Sequence, residues 1–388
     1  MAEPTWSTAR GEVRPLHIGK FVPPPYAGVE AHVDTLLRGL YPEVQATLLA
    51  ADSPAGPASH VGLPYRLLTA RAYGKFASAT LSPGVLWQAR REISSGRSNL
   101  LHIHAPNPWG DFAALACPDA APVVMSWHSD IVRQRHLMKV YKYIQRRVLQ
   151  RVDRIIVFTP RHYDSSAQLH QCDVASKIVY VPMGIDFSEL EAERADLAMA
   201  DRLKRYAAGR PLLLTVGRHV PYKGYQYLLK AMAALRSDAV LVMVGAGVLT
   251  QALHQQARDL GLAQRVLFLG EVARPALVAA LHACDVFCLP SIAPSEAFGI
   301  ASAEAMACGK PTVVCQLHNG VNYLNKEGET SLVVPPEDVA ALADALDMLV
   351  RDHGLRERFG RTAKSWVRTE FSLEAMKQGT LALYRSLL

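Results

Sequence analysis

The residues Gly217-Arg218-His219-Val220-Pro221-Tyr222-Lys223-Gly224 directly follow a short apolar run, Leu212 to Val216. A glycine that lets the backbone turn, then a guanidinium and an ammonium at the mouth of a helix, suit the clamping of a diphosphate. Arginine grips two oxygens in a fork and lysine adds a mobile point charge. A solvated basic turn has the same spacing, and it is the position after a strand that favours the clamp. Gly245-Ala246-Gly247 follows a second run, Ala239 to Val244. A dinucleotide fingerprint would need glycine where Thr250 stands, and Glu271 is late for its acid, so this stretch reads as a tight turn lining the same face as Arg218. In the third stretch, Glu296 and Glu304 flank Phe298-Gly299-Ile300, which open a helix that Gly309 ends. Free backbone N–H groups at such a helix start attract an anion. With two carboxylates beside them, they suit a ligand that is phosphate at one end and rich in hydroxyls at the other.

Metal chemistry has less support. The sequence has no Asp-x-Asp pair for a divalent ion on a diphosphate, so cations and helix dipoles must supply the positive potential and no metal site is assigned. His102 and His104 share one face of a strand, but without cysteine or carboxylate partners nearby a packed or cleft-lining role is expected. His128 is the one histidine assigned a chemical role, with a satisfied core histidine as its alternative.

The elements that must position these groups alternate short apolar runs with amphipathic segments. Strands are expected at Leu16–Gly19, Leu100–Ile103, Pro122–Ser126, Arg154–Phe158 and Lys177–Val181. A second set follows the turn Pro182-Met183-Gly184-Ile185-Asp186, at Pro211–Val216, Ala239–Val244, Arg265–Leu269, Asp285–Leu289, Pro311–Val314 and Ser331–Val334. Strand–helix alternation implies parallel sheets. The expected architecture is α/β, two doubly wound halves covering residues 1–186 and 187–370, with a final helix over 371–388 packing back on the first half. The ligand is expected in a cleft at the carboxyl ends of both strand sets. A chain of 388 residues that is 50% hydrophobic and 20% charged is too apolar to be disordered. Its six cysteines contain no Cys-x-x-Cys pair, which points to reduced thiols. No apolar run approaches the ~18 residues of a membrane span, so a cytoplasmic protein is expected, peripheral to the inner membrane at most.

In these residues the chain resembles the GT-B glycosyltransferases of family 4, the retaining group 1 nucleotide-sugar transferases. The motifs that carry the resemblance are Ala27-Gly28, Trp127-His128-Ser129-Asp130, the Pro-x-Gly-Ile-Asp linker, Gly-Arg-x4-Lys-Gly and E-x7-E. His128-Ser129-Asp130-Ile131-Val132 and Asn319-Gly320-Val321-Asn322 are similar to the bacterial O-antigen and exopolysaccharide mannosyl- and rhamnosyltransferases. The resemblance implies that Arg218 and Lys223 hold the donor diphosphate, that Glu304 takes the ribose hydroxyls, and that Glu296 takes the hydroxyls of the transferred sugar. Phe298, Gly299 and Ile300 supply backbone donors, Gly217, Gly245 and Gly247 line the donor site, His128 contacts the sugar near the reacting centre, and Gly28 lets its loop approach the phosphates. The family often has two glycines where Ala27-Gly28 stands, and asparagine where Met183 stands. The implied activity is metal-independent, retaining transfer of a hexose, mannose or rhamnose, from a GDP-sugar co-substrate, with no resident cofactor, to a glycan or lipid-linked acceptor in surface polysaccharide synthesis. A UDP-sugar donor, a nucleotide-sugar 2-epimerase of the same general fold and a non-catalytic scaffold are the rival readings. Glu-x-Phe-Gly within E-x7-E speaks against the epimerase, and intact Arg218, Lys223, Glu296 and Glu304 against the scaffold.

Residues 133–154 add a basic helix: Arg133, Arg135, Lys139, Lys142, Arg146, Arg147, Arg151 and Arg154 stand against Asp153 alone. Leu137, Tyr141, Ile144 and Val148 form an apolar stripe suited to the core. The basic face either rests on anionic lipid of the inner membrane or is merely solvated. Nucleic acid is not expected, because no known module or aromatic platform accompanies the charge.

Overall fold

The computed structural model describes residues 12–22, 28–52, 62–76, 79–131 and 135–388. The chain forms two compact units, Met1–Gly184 with Leu373–Leu388, and Ile185–Ser372. Strands of the first unit are β1 (Pro15–Phe21), β2 (Thr47–Ala51), β3 (Arg66–Ala70), β4 (Lys75–Phe76), β5 (Ala79–Thr80), β6 (Leu100–Ala105), β7 (Val123–Trp127), β8 (Arg154–Val157) and β9 (Ile178–Tyr180). Apart from the antiparallel pair β4–β5, they make one parallel sheet in the order β3-β2-β1-β6-β7-β8-β9. The second unit has β10 (Leu212–Val216), β11 (Val240–Val244), β12 (Val266–Gly270), β13 (Val286–Leu289), β14 (Thr312–Cys315) and β15 (Ser331–Val334), parallel and ordered β12-β11-β10-β13-β14-β15. In each sheet the strand order reverses once, at β1/β6 and at β10/β13. Open α/β sheets bind ligands beyond the strand ends at such a point.

The strands form because runs such as Val240–Val244 and Val286–Leu289 are apolar along their whole length and buried on both faces. Several begin one residue later than the apolar run predicts, for a backbone reason. Pro122, Pro211 and Pro311 offer carbonyls to Leu101, Val240 and Phe287 but have no N–H to extend the ladder. β2 and β3 have no counterpart among the expected strands. Their sequences, Thr-Leu-Leu-Ala-Ala and Arg-Leu-Leu-Thr-Ala, are rich in good helix formers and short of β-branched residues, so it is pairing, of β2 with β1 and of β3 with β2, that makes them strands.

Along β1 and β6, Leu16, Ile18, Leu101, Ile103 and Ala105 enter the hydrophobic core of the first unit. The intervening His17, His102 and His104 therefore face the opposite side of the sheet. Helix Gly28–Leu40 and the C-terminal helix Leu373–Arg385 bring His32 and Tyr384 to that same side. The C-terminal helix is tied to the first unit by Lys377 Nζ, 2.7 Å from Glu43 Oε1.

The basic helix spans Arg135–Arg151, shorter than expected, and Arg133 lies outside the described residues. Arg154 belongs to β8, and Arg151 is mostly covered, donating to the carbonyls of Pro118 and Ala121. Neither serves the solvated basic face, because the chain must turn from helix into sheet there. Lys139, Lys142, Arg146 and Arg147 are exposed on it, alongside Val140 and Tyr143, 70% and 65% exposed. Val148 is buried, Ile144 packs on the core and Tyr141 bonds to Asp111, so these three members of the stripe face inward, while the Leu137 side chain lies outside the described residues. Among the described residues no helix is long and apolar enough to cross a membrane.

Candidate functional site

In the second unit the loops leaving β10, β11 and β12 are stitched together through their backbones. Gly217 N–H donates to Val244 O (2.9 Å), Gly245 N–H to Gly270 O (2.7 Å) and His219 N–H to Ala246 O (2.9 Å). Gly245 has φ +122°, and a Cβ there would lie 2.1 Å from Gly217 O, so the approach admits only glycine. At Gly247 a Cβ would meet the backbone of His219 at 2.6 Å. The fingerprint position Thr250 instead accepts from Gly247 N–H and bonds to His219 Nδ1, each at 2.9 Å. The stitching leaves Arg218 exposed on the loop tip, with no ion pair to a described residue.

Lys223 ends the turn Pro221–Lys223 and is only 8% exposed. Its ammonium lies 2.5 Å from Glu296 Oε2, and the Ser291 hydroxyl donates to the same oxygen (2.9 Å). A Cβ on Gly217 would sit 3.2 Å from Lys223 Nζ, so the Gly217-Arg218 turn, the lysine and Glu296 form one cluster at the ends of β10 and β13. The loop bearing Glu296 is fixed from two sides: Ile292 N–H donates to Tyr222 O (2.8 Å) and Asn319 Nδ2 to Glu296 O (2.7 Å). Removing either partner of a buried ion pair strands the other charge, a cost of about 3–5 kcal/mol. The same carboxylate, behind burial itself, helps push the Tyr225 phenol well above its usual range.

Phe298 buries its ring against Phe371 (centroids 5.1 Å apart) and so anchors the turn into helix Ile300–Ala307. Gly299 caps the helix at φ +84°. The N–H groups of Phe298, Gly299 and Ile300 make no hydrogen bond to a described residue, leaving a set of donors at a helix N-terminus. Glu304, 9% exposed on this helix, accepts from Arg274 Nη1 at 2.6 Å, and Arg274 Nε lies 3.4 Å from Glu189 Oε2. Arg274 also forms a wall of an open groove with Asp186, Ser188, Glu189, Arg194, Pro275 and Val278.

In the first unit His128 follows β7 and is 8% exposed. The Trp127-His128-Ser129-Asp130 turn is held by Asp130, which accepts from Trp127 Nε1 (3.1 Å), Ser166 Oγ (2.5 Å) and Gln168 N–H (3.2 Å). Val132 of the longer motif lies outside the described residues. His128 Nε2 is 3.2 Å from His104 Nδ1, and His17, His32 and His102 complete a buried group of imidazoles. Burial holds every one of them neutral: His17 is lowered to about 3, His32 to about 4, and His102, His104 and His128 well below the ordinary imidazole value.

The triads His17–His102–His104 and His32–His104–His128 have nitrogens close enough for one cation. Their rings do not radiate from a common point, however. His102 stacks on His104 and His17 on His104, at interplanar angles of 18° and 24°, and both nitrogens of His17, His102 and His104 already have partners. Hydrogen bonding satisfies His17, His102 and His104 without an ion, whereas the buried His32 Nδ1 has no partner among the described residues.

Gly217, Lys223, Gly245, Gly247, Glu296, Phe298, Gly299, Ile300 and Glu304 all lie on the connected loops and helix start of the second unit, and Arg218 stands on the same turn. Gly28 differs: it is the exposed first residue of helix Gly28–Leu40, a Cβ there would meet open space, and its neighbour Ala27 lies outside the described residues. Arg274 escaped the sequence reading because a lone arginine before a proline carries no motif. The Asn319-Gly320-Val321-Asn322 stretch was quoted only as a likeness. In the structure Asn319 caps helix Gly320–Leu324 while holding the Glu296 carbonyl, and Asn322 Oδ1 accepts from the Leu317 and His318 N–H groups.

The family model for glycosyl transferases group 1 matches residues 202–366, and that for Glycosyltransferase Family 4 matches residues 26–189. The O-antigen chain mannosyltransferase C of Escherichia coli is 28% identical over 97% of this chain and 99% of that protein. The D-rhamnosyltransferase WbpZ of Pseudomonas aeruginosa is 33% identical over 89% of this chain and 84% of its own length. Among solved structures, Anabaena HepE in complex with UDP and glucose has a TM-score of 0.79 at 20% identity, covering 97% of this chain and 100% of that one. A charged, glycine-stitched second unit and agreement along nearly the whole chain lead to one assignment: the protein is a glycosyltransferase of family 4, the group 1 transferases, with the GT-B fold.

Proposed function

We propose that the protein moves a hexose, mannose or rhamnose, from a GDP-sugar to a lipid-linked or oligosaccharide acceptor of a surface polysaccharide, with retention of configuration and without a metal ion. The observation that carries this reading is the Lys223–Glu296 pair at 2.5 Å beside the open N–H groups of Phe298–Ile300. Such a cluster binds a negative diphosphate on one side and sugar hydroxyls on the other. An ammonium has three donors, and Glu296 occupies one, so Lys223 keeps capacity for a leaving phosphate. Arg218, exposed on the loop tip with no ion pair to a described residue, adds a bidentate grip. Glu304, oriented by Arg274, accepts from the ribose, and His128 acts on the transferred hexose. The two relatives, one named a mannosyltransferase and one a rhamnosyltransferase, support the choice of sugar.

The test is a thermal-shift screen of GDP, UDP, GDP-mannose and UDP-glucose on the full chain, followed by transfer assays with and without chelator. A cognate ligand at 100 times its Kd stabilises by about 2.7 kcal/mol. Stabilisation by the guanine nucleotides and chelator-resistant transfer are expected. Stabilisation by UDP-sugars alone would overturn the donor, and loss of transfer in chelator the metal independence.

The exposed face with Lys139, Lys142, Arg146 and Arg147 around Val140 and Tyr143 suits the surface of an anionic membrane, at about 1 kcal/mol per basic residue. Co-sedimentation with anionic vesicles, lost in 0.5 M salt and absent with neutral vesicles, is the expected result, and equal binding to neutral vesicles would refute it.

A further inference from the structure

The buried imidazoles of the first unit are joined in a line. The Ser126 hydroxyl is 2.8 Å from His102 Nε2, and His102 Nδ1 is 2.5 Å from the Tyr384 hydroxyl. That hydroxyl is 3.1 Å from His17 Nε2, His17 Nδ1 is 3.1 Å from His104 Nε2, and His104 Nδ1 is 3.2 Å from His128 Nε2. Register makes the line possible. His17 pairs with His102 and His104 with Ser126 across β1, β6 and β7, so the four side chains share one face. Tyr384, from the far end of the sequence, bridges His102 and His17.

Each link needs one hydrogen. A neutral imidazole offers one N–H and one lone pair, and the phenol offers one O–H that needs an acceptor and an oxygen that accepts. If Ser126 donates into the line, each ring must receive at Nε2 and donate from Nδ1, and His128 ends with Nδ1–H. If His128 donates from Nε2, each ring donates from Nε2 and receives at Nδ1, and Ser126 accepts. A ring that broke the common direction would bring two hydrogens, or two bare lone pairs, face to face between imidazoles, or leave the Tyr384 O–H without an acceptor, in a site closed to solvent, at a penalty set by low local polarity.

We infer that Ser126, His102, Tyr384, His17 and His104 form a tautomer lock on His128: five hydrogen bonds that all run one way or all the other. In one state His128 presents an N–H at its terminal Nδ1 and in the other a lone pair, and no ring becomes charged in either. Among the described residues no hydrogen bond falls on that Nδ1, and the line reaches the surface only at His128, 8% exposed, whereas its other members are at most 2% exposed. The line is not a proton exit. Ser126 is 1% exposed and its hydroxyl has no other described partner, so a proton entering at His128 has nowhere to leave and would stand as a buried charge. The burial that depresses these histidines agrees with neutral rings. A neutral residue that can either donate or accept suits a sugar hydroxyl, whose own hydrogen bond runs either way. Tyr384, His102, His17 and His104 are thus positioning residues. Their link to transfer rests on the role proposed for His128, whereas the lock itself rests on the first unit alone.

The experiment is imidazole 15N NMR on the full-length protein at pH 7.5, with and without GDP-mannose, for wild type and Tyr384→Phe, with kcat and donor KM measured on both. In the wild type His17, His102, His104 and His128 are expected to show the same neutral tautomer, all Nδ1–H or all Nε2–H. Tyr384→Phe, which removes one oxygen from a buried ring, uncouples His102 from the other three and lowers kcat with donor KM little changed. Mixed tautomers, or an imidazolium among the four in the wild type, overturn the lock whatever the activity. A shared tautomer with kcat unaffected by both Tyr384→Phe and His128→Ala sustains the lock and removes His128 from the reaction.

Discussion

The two units have nearly the same strand order and opposite ways of making a reactive strand end. In the first, polar groups at the reversal point are neutral imidazoles, buried and joined to one another. In the second they are charges paired across short loops, Lys223 with Glu296 and Arg274 with Glu304. The difference follows from what each strand end delivers. Histidines at alternate positions of interior strands lie on the sheet face beneath helices, where desolvation suppresses charge. Lysine, arginine and glutamate come from turns and helices at the strand ends, where an opposite charge within hydrogen-bond reach stabilises each ionised group. The same topology therefore carries a network of neutral, hydrogen-bonded rings in one unit and paired charges in the other.

Acidification should separate the two most. His17, His32, His102, His104, His128 and His162 all have folded-state values lowered by burial, to about 4 or below where a value is given. The unfolded chain, with imidazoles near 6.5, binds protons that the folded unit refuses. Stability from these rings is complete above that pH and falls as pH drops towards the folded values. At pH 5.5 the loss is about 1 kcal/mol for each ring, several kcal/mol for the group. In the second unit a lowered value falls on His219, where burial and then His254 cause it. Hydrogen exchange on the whole protein at pH 7.5 and 5.5 should show β1, β6 and β7 losing protection while β10, β11 and β13 keep theirs. Equal loss in both sheets would break the contrast.

Lys223→Ala should be the largest single change to transfer. By analogy with loss of one preorganised donor, it removes about 2.7–4 kcal/mol of leaving-group stabilisation, a fall of roughly two to three orders of magnitude in kcat. It also leaves the largely covered Glu296 carboxylate without its cation, and a drop in melting temperature should accompany it. Turnover near wild type would show that the pair is structural.

The second unit was far more legible in sequence than the first. Gly217, Lys223, Glu296, Gly299 and Glu304 sit within short motifs whose spacing already implies strand, turn and helix start, so local chemistry reports the site. The first unit's site is assembled by register and by long-range packing. His17 meets His102 because β1 pairs with β6, and Tyr384 meets both because the last helix returns from 282 residues downstream of His102. No pattern of period two or 3.6 encodes such meetings. Arg274 fell in between: its partner Glu304 was recognised, but an arginine opening a different helix reaches it only in the folded chain.

Arg274→Ala should have a smaller effect than Lys223→Ala, and a different one. Glu304 would lose the guanidinium that orients it but keep its helix. Donor affinity should fall about tenfold, near 1.4 kcal/mol, with kcat little changed, measured by calorimetry with GDP and by initial rates. A loss of kcat at constant affinity would place Arg274 in the chemistry rather than in ribose recognition.

The smallest expected effect on the fold tests the one glycine that differs from the rest. Gly245→Ala would drive a Cβ to 2.1 Å from Gly217 O at φ +122°, so the second unit should be grossly destabilised. Gly28→Ala meets open space at an exposed helix start, so stability should stay level or rise by up to about 1 kcal/mol. If Gly28 is glycine so that phosphates can approach, transfer should fall severalfold in a protein that melts no earlier. Unchanged transfer would mean that its loop takes no part in donor binding. Because no described residue crowds this glycine and its φ is not left-handed, a loss of transfer at Gly28 without a loss of stability reads as function, a separation that Gly245, held by crowding, does not allow.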